Sequence, residues 1–225
     1  MAAVNVSFSG DVELRAADGV LPIKIGDEDI TDRLWQLAGA FDGSILTVKI
    51  KKRVPTQWGR SDAIVLSVEH EFLERAMVRE ILSVPDQGAT IRVMHNVEFY
   101  LRKECQGHGI GAYCLAYEAM AAFRLEFSKI VANAANHPDV GWKVWPRLGY
   151  DAIIEPDILQ KMRHELAERG VVPGPQGLRI SELWDRGHFD LWEKYGTGCM
   201  MEFDLSSGQS WSMKQIRERI DLGGQ

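Results

Sequence analysis

The chain contains 225 residues, of which 45% are hydrophobic and 26% charged, and it carries a formal net charge of −6. This composition excludes a disordered chain and fits one globular domain with an appendage. The acidic balance argues against a surface that neutralises nucleic-acid phosphates, so we expect no nucleic-acid partner.

The cysteines and the apolar stretches indicate the environment of the protein. Three cysteines without a CxxC spacing predict neither a disulfide framework nor a metal site, and reduced thiols are typical of a cytoplasmic protein. The first ten residues lack a positively charged region, and no later stretch approaches the ~20 apolar residues of a membrane span. We therefore expect a cytoplasmic protein with no membrane partner and no bound metal.

The first ninety residues predict short elements. They are a brief strand through Val4, Val6 and Phe8, a helix from Thr31 or Asp32 to Ala38, and strands at 45–50 and 63–68 around a loop that contains Pro55. Residues 69–83 fit either a helix or a continuation of the sheet.

The strongest strand signal lies at 91–101, where apolar and polar residues alternate. One face would hold His95 together with the apolar residues Ile91, Val93, Val97, Phe99 and Leu101. The other face would hold the polar residues Arg92, Asn96, Glu98 and Arg102.

A helix and a second strand follow a glycine-rich loop. The helix is predicted to begin at Gly109 or Ile110, because small and apolar residues recur at helical spacing from Ala112 to Phe123. Residues 129–134 predict another buried strand. Strand, loop, helix and strand in this order form a right-handed crossover unit.

Residues 154–225 predict a C-terminal extension of a core formed by residues 1–153. The predicted elements are a helix at 156–169, a Gly/Pro linker at 170–178, a helix at 181–195, a strand at 200–205 and a helix at 212–220. Their apolar faces need a cover, which the sheet of the core can supply if the extension adds an edge strand or a lid. We therefore expect the extension to belong to the same domain.

The segment Gln106-Gly107-His108-Gly109-Ile110-Gly111 lies between a predicted strand and a predicted helix start. At such a position the backbone N–H groups and the helix dipole favour an anion. Glycine permits positive φ angles and lets the backbone approach a ligand closely. The segment predicts a phosphate-binding loop, with a plain glycine-rich turn as the alternative.

Three types of anion-binding loop can be compared with this segment. A P-loop needs Gly-Lys-Ser/Thr, whereas Gly111 is followed by Ala112 and Tyr113. A dinucleotide fingerprint needs GxGxxG, and the spacing here is GxGxG. The pattern Gln/Arg-x-x-Gly-x-Gly/Ala fits from Gln106 to Gly111, and it resembles motif A of the GNAT superfamily of N-acetyltransferases.

The resemblance to the GNAT superfamily covers roughly residues 91–151. After the loop and its helix, Trp145-Pro146-Arg147-Leu148-Gly149-Tyr150 is similar to the family's Tyr-x-x-x-Gly-Phe. The resemblance implies an α/β (α+β) fold, in which helices flank a mixed sheet splayed between the strands at 91–101 and 129–134. It also implies an N-acyltransferase that moves an acetyl or related acyl group from acetyl-CoA to an amine.

The resemblance further implies how acetyl-CoA is held. The pantetheine arm would lie in the splayed gap, bonded to the backbone of Leu101, Arg102 and Lys103. The pyrophosphate would be held by the loop residues Gln106, Gly107, His108, Gly109, Ile110, Gly111 and Ala112. Asn133, at the end of the second strand, is a further candidate for a contact with the pantetheine.

Acyl transfer to an amine needs a base or a water chain, because an alkylamine titrates near ~10.4. His95 lies where histone-acetylating members of the family carry a glutamate base. Glu98 is the second candidate, on the opposite face of the strand unless a bulge changes the alternation. A structural histidine and a solvated carboxylate are the alternative interpretations.

The family often uses a tyrosine to reprotonate the departing thiolate, and this sequence has Trp145 at that position. Tyr150, Tyr113 or a water can replace it, or no acid is needed, because a thiol of pKa near ~8.5 leaves as its anion. Trp142 and Trp145 are predicted to line the pocket of the cofactor or acceptor, with core packing as the alternative.

The acceptor is predicted only as an amine, on a small molecule or on a protein, and the acidic net charge favours a cationic one. The alternative function is a GNAT-fold module that binds CoA without catalysis, or a phage- or toxin-like effector. Trp145 and the long extension favour this alternative.

Overall fold

A computed structural model describes residues 6–17, 19, 21–86, 88–136 and 139–223 of the chain. The fold is a mixed α/β arrangement, as the sequence predicts at this level. The strands are β1 (Glu13–Ala16), β2 (Lys24–Ile25), β3 (Glu28–Asp29), β4 (Ile45–Thr56), β5 (Gly59–Glu69), β6 (Met77–Asp86), β7 (Ala89–Glu98), β8 (Lys129–Asn133) and β9 (Met200–Asp204).

The α-helices lie mostly in the second half of the chain. They are α1 (Leu34–Ala38), α2 (Ile110–Arg124), α3 (Gly141–Arg147), α4 (Pro156–Glu168), α5 (Ile180–Asp185), α6 (Phe189–Tyr195) and α7 (Trp211–Gly223). Within the described ranges, none of the helices is long and apolar enough to cross a membrane.

Seven strands form one sheet in the order β1-β4-β5-β6-β7-β8-β9. The pairs β1/β4 and β7/β8 are parallel, and the other neighbours are antiparallel. The strands β2 and β3 form a separate small hairpin. The helix α2 connects the parallel strands β7 and β8, as expected for a crossover unit.

The strands β7 and β8 are paired over only part of their length. Their register runs from Val93 and Lys129 to Asn96 and Ala132. Beyond that point β7 continues on β6 to Glu98, whereas β8 continues on β9. The two strands therefore separate at their carboxyl ends, and we call the space between them the interstrand gap.

A β-bulge coincides with the start of the interstrand gap. Arg79 of β6 pairs with Asn96 of β7, but the preceding residue Val78 pairs with Glu98, so Val97 is the extra residue. A bulge increases the local twist and reverses the alternation of the residues that follow it. The side chain of Glu98, the last residue of β7, therefore points to the opposite face from the one that strict alternation predicts.

The two faces of the sheet are unequal. The helix-covered face carries the main core, to which Met94, Leu115 and Ile130 belong. The other face, which we call the second face, carries a small apolar cluster of Ala63, Val65, Leu82, Val84, Val93 and Val131. Trp58, at the turn between β4 and β5, packs against this cluster.

Several elements differ from the sequence-based predictions in the first half. The strands β4 and β5 are longer than predicted and form one hairpin, and β4 contains Pro55 beyond a register shift between Lys51 and Val54. Proline is tolerated near such irregularities because the regular ladder is interrupted there. The ambiguous segment 69–83 contributes the strand β6. Val6 and Phe8 are not in a strand, and Val4 lies outside the described residues.

The elements around and beyond the crossover are closer to prediction. The helix α2 begins at Ile110 as predicted, β8 and β9 lie within one residue of the predicted strands, and α4 ends one residue early. The segment 181–195 forms two helices, because Gly187 interrupts it with a φ of 73°. The strand predicted to Leu101 ends at Glu98, and the helix α3 was not predicted.

The C-terminal extension contributes to the same sheet and core. The strand β9 pairs with β8, and Met201 and Phe203 are fully buried in the main core. The helix α7 packs against α2 and β9. Gly149 lies so close to this helix that an added Cβ would be 2.8 Å from the carbonyl oxygen of Ser212.

A comparison of two glycine substitutions tests the contact between Gly149 and α7. Gly149 and Gly170 both have positive φ angles, 96° and 67°, so alanine is strained at either position. An added Cβ meets nothing within 4 Å at Gly170, whereas at Gly149 it meets backbone. We expect Gly149→Ala to lower the free energy of unfolding by about 1–3 kcal/mol more than Gly170→Ala.

Urea denaturation measures both losses, with Gly170→Ala as the control for the backbone strain alone. Equal losses in the two variants would mean that α7 is not packed against Gly149.

Candidate functional site

The glycine-rich loop presents a row of backbone N–H groups. Gly107 and Gly109 adopt φ angles of 78° and 77°, and Gly109 is the residue before α2. No acceptor among the described residues is bonded to the N–H groups of Gly107, His108 or Gly109. The N–H groups of the first helical residues have no acceptor within the helix. The loop therefore leaves successive donors, from residue 107 to residue 111, for an anion.

Ala112 does not belong to this row of donors. Its N–H donates to the carbonyl oxygen of Gly109 at 2.9 Å. Of the residues predicted to hold a pyrophosphate with the backbone N–H, Ala112 is therefore already bonded within the protein.

The three glycines of the loop have different roles. Gly107 and Gly109 are required by their positive φ angles, and a Cβ at Gly107 would meet nothing within 4 Å. At Gly111 an added Cβ would lie 3.3 Å from Cε1 of Phe99. Gly111 therefore makes room for the Phe99 ring, whereas Gly107 and Gly109 shape the open part of the loop.

The electrostatics of the loop favour an anion. Arg102, Lys103 and His108 are exposed around the loop, where Glu104 adds one opposing charge, and α2 has 15 residues whose peptide dipoles add at its N-terminus. The Gln106 side chain donates from Nε2 to the carbonyl oxygen of Leu101 at 2.9 Å. This bond ties the loop to the segment that follows β7.

The segment 100–102 is paired on one side only. The carbonyl oxygen of Tyr100 accepts a hydrogen bond from the Glu74 N–H at 2.9 Å, and the Arg102 N–H donates to the carbonyl oxygen of Phe72 at 3.0 Å. In such an antiparallel bridge, the N–H and carbonyl of the central residue, Leu101, point away from the partner segment. They therefore point to the side on which β8 has left β7.

At Leu101 one of these two backbone groups is occupied. Its carbonyl oxygen accepts from Gln106, whereas its N–H has no acceptor in the part of the chain that the structure describes. Arg102 is partly engaged, because its Nε donates to the carbonyl oxygen of Leu73 at 3.2 Å. Lys103 is exposed and begins a short 3-10 helix.

His95 lies on the second face of the sheet beside Glu80 of β6. The Nδ1 of His95 is 3.2 Å from Oε2 of Glu80. The hydrogen bond from His95 holds the pKa of the Glu80 carboxyl below its usual value, against the opposing effect of burial. Nε2 of His95 has no bonding partner among the described residues.

Glu98 lies on the same face as His95, which is the alternative that the sequence leaves open for a bulged strand. Because Val97 is a bulge, Glu98 pairs with Val78, whose side chain packs against the cluster of the second face. The Glu98 carboxylate is 3.2 Å from Nε of Arg75 and 40% exposed. The structure therefore brings both candidate bases to one face.

Tyr150 lies on the helix-covered face, away from His95. Its ring is fully buried, and its hydroxyl oxygen accepts from Nδ2 of Asn96 at 2.8 Å. Successive residues of a strand point to opposite faces, so Asn96 and Tyr150 are separated from His95 by the sheet. Burial, followed by the charge of Glu118, raises the pKa of the Tyr150 hydroxyl well above its usual value. The phenol therefore keeps its proton at neutral pH.

A buried polar network surrounds this hydroxyl. Nδ2 of Asn96 also donates to Oε2 of Glu118 at 3.1 Å, and Nε of Arg79 lies 3.3 Å from the same oxygen. The side chains of Arg79 and Glu118 are 1% and 0% exposed. Burial raises the pKa of the Glu118 carboxyl, and the nearby Arg79 guanidinium opposes this effect.

This network was not predicted from the sequence, whose alternation places Asn96 on a polar face. The structure buries Asn96 against α2, and within the described residues Asn96 Oδ1 and Glu118 Oε1 have no hydrogen-bond partner. The signal in the sequence was the carboxylate of Glu118 on a helix face that is otherwise formed by the buried residues Leu115, Ala119 and Ala122.

The two tryptophans predicted to line a pocket pack into the core beside Tyr150 and the extension. Trp145 is half-buried, with its ring centroid 4.9 Å from that of Tyr150. Trp142 is also half-buried, and its ring lies edge-on to that of Trp192 with the centroids 6.2 Å apart. The backbone carbonyl oxygen of Trp142 accepts a hydrogen bond from Nε1 of Trp192. Asn133 is exposed at the end of β8, where β8 pairs only with β9.

The three cysteines are free thiols that are poor nucleophiles at neutral pH. Cys105 and Cys114 are buried and Cys199 is half-buried. Burial raises the pKa of Cys199 to about 11, and it also raises the pKa of Cys114. Because the thiolate is the reactive form, none of the three is marked as a nucleophile by its surroundings. Among the described residues, no group of His, Cys, Asp and Glu side chains is arranged to hold a metal ion.

Comparison with protein-family models finds no match for the chain, and comparison with curated proteins finds none either. The function is therefore inferred from the residues and geometry of the chain itself.

Proposed function

We propose that the chain is an acyl-CoA-dependent N-acyltransferase of the GNAT type, which transfers an acetyl or related acyl group to an amine. The observation that carries this proposal is the row of unbonded N–H groups at residues 107–111. These donors lie at the start of a 15-residue helix that connects two strands separated at their carboxyl ends. A pyrophosphate fits this position, because it needs several converging donors and a positive dipole end.

The cofactor would be held along one continuous path of backbone. In the proposal, the N–H groups of residues 107–111 bind the pyrophosphate, and the exposed Arg102 and Lys103 add positive charge. The N–H of Leu101, which points away from its partner segment, would bind the pantetheine arm, and Asn133 at the exposed end of β8 is the further candidate for this contact. Gln106 would act indirectly by fixing the Leu101 carbonyl.

The bound cofactor would supply a thioester, whose acyl carbon is attacked by the amine. A C–N bond forms, the C–S bond breaks, and the electron pair leaves with sulfur. The amine must first lose its proton, and His95 and Glu98 are the proposed bases on the second face. With Trp145 at the family's tyrosine position, we propose that the thiolate leaves without a protein acid, since the raised pKa of Tyr150 makes it a weak proton donor.

The acceptor in this proposal is a cationic amine on a small molecule or a protein. Glu80 and Glu98 are carboxylates on the same face as His95, and they would attract a positive charge to that side of the interstrand gap. A cytoplasmic location, without nucleic-acid or membrane partners, belongs to the same proposal.

One observation favours a second candidate function, a module that binds CoA without catalysis. The only buried tyrosine hydroxyl near the interstrand gap among the described residues is bonded to Asn96 and fully enclosed. Release of free CoA thiol distinguishes the two functions. An N-acyltransferase releases thiol in proportion to the added amine, whereas a binding module releases none.

The loop assignment is tested by a charge placed at His108, which is exposed in the loop. We expect saturating acetyl-CoA, at about 100 times its Kd, to raise the Tm of the wild type by roughly 5–10 °C. His108→Glu should remove most of this shift, because a carboxylate beside the bound pyrophosphate repels it.

Gln160→Glu, which adds the same charge at an exposed position of α4, is the matched control and should keep the full shift. A His108→Glu variant that gains as much from acetyl-CoA as the control would place the cofactor elsewhere.

The base is tested by two neutral substitutions on the second face. We expect His95→Gln to lower the rate of amine-dependent thiol release by about 10²-fold or more, the usual contribution of a general base. Glu98→Gln should cost less, because Glu98 is paired with Arg75 and more exposed than His95. A larger loss with Glu98→Gln would assign the role of base to Glu98.

A further inference from the structure

The contact between Glu80 and His95 has the geometry of a carboxylate that orients a base. The carboxylate of Glu80 is 3.2 Å from Nδ1 of His95, and their side chains are only 17% and 25% exposed. Glu80 and His95 are directly opposite in the register of β6 and β7, so the sheet itself fixes their separation. Sequence periodicity gave no reason to single out Glu80.

The contact determines which nitrogen of the imidazole carries the proton. A glutamate carboxyl is ionised at neutral pH, and a carboxylate only accepts hydrogen bonds. In the neutral ring, Nδ1 must therefore carry the hydrogen that is donated to Glu80. Nε2 then has a free lone pair, and no described residue is bonded to it.

The position of this lone pair suits the proposed reaction. His95 pairs with Val131 one residue before the last paired position of β7 and β8, so its ring lies beside the start of the interstrand gap. The other charged groups facing this part of the second face are Lys51, which interacts with Glu80, the ion pair of Glu98 with Arg75, and the ion pair of Glu202 with Lys129. None of these groups is bonded to His95 among the described contacts.

We propose that Glu80 is a positioning residue for acyl transfer, which holds His95 in the Nδ1–H tautomer and directs Nε2 toward the amine. This inference rests on the proposed N-acyltransferase function. In the step, Nε2 takes the proton of the ammonium form, the amine nitrogen forms the bond to the acyl carbon, and sulfur leaves with the electron pair. The proton on Nε2 then passes to solvent, and the acylated nitrogen loses its second proton to the thiolate or to solvent, so the amide and the ring are both neutral at the end.

The tautomer can be measured directly by ¹⁵N NMR of histidine-labelled protein above the titration of histidine, without any cofactor. We expect the His95 signals of the wild type to report hydrogen on Nδ1 and a bare Nε2. Glu80→Gln retains an oxygen acceptor and should keep this tautomer. Glu80→Leu removes the acceptor and should shift the ring toward the Nε2–H form.

Amine-dependent thiol release should follow the tautomer. We expect Glu80→Leu to lower kcat at least tenfold, as is usual when the partner that orients a functional histidine is removed. Glu80→Gln should keep most of the wild-type kcat. In a His95→Gln background Glu80→Leu should cost nothing further, because both changes disable one unit.

Glu202→Leu is the matched control, since Glu202 is a half-buried carboxylate on the same face that pairs with Lys129 and no histidine. An Nε2–H tautomer in the wild type, a loss in Glu80→Leu no greater than in this control, or an additive loss in the double variant would each overturn the role of Glu80. Absence of amine-dependent release in the wild type would instead overturn the proposed function, and the positioning role with it.

Discussion

The early end of pairing between β7 and β8 is the constraint on which the candidate site depends. The two strands are neighbours only from Val93 to Asn96 on one side and from Lys129 to Ala132 on the other. Past this point each strand stays with its outer partner, and the backbone between them loses its ladder partner. Because unpaired backbone groups need another partner, the end of this ladder creates an edge where a ligand can be bound.

The bulge at Val97 has two consequences at this edge. It turns Glu98 to the same face as His95, and it follows directly on Asn96, the last residue of β7 that pairs with β8, whose side chain points into the helix-covered face. Asn96 then joins the buried pair of Arg79 and Glu118 to the hydroxyl of Tyr150. A buried ion pair contributes little net stability, but removing either partner is costly, so the network fixes how α2 sits on the sheet. The loop at the N-terminus of α2 depends on that placement.

The sequence predicted the parts that depend on local periodicity and on special backbone angles. The loop at 106–111, the helix α2 and the strands β8 and β9 follow from glycine positions, helical spacing and alternation. A bulge was only the alternative in the prediction for Glu98, and its position at Val97 could not be predicted because one extra residue leaves no mark on composition. The network of Arg79 and Glu118 escaped prediction because the two residues are far apart in sequence and meet only in the packed fold. The roles proposed for His95, Glu98 and the loop stay predictions.

Amide hydrogen exchange tests whether the backbone of residues 107–111 binds the pyrophosphate of an acyl-CoA, as proposed above. Exchange is compared in the free protein, with acetyl-CoA, and with acetyl-pantetheine, which lacks the pyrophosphate. We expect slower exchange in peptides that cover residues 107–111 with acetyl-CoA, no slowing there with acetyl-pantetheine, and no change at 170–178 with either. Unchanged exchange at 107–111 in the presence of saturating, bound acetyl-CoA would mean that this loop does not bind the pyrophosphate.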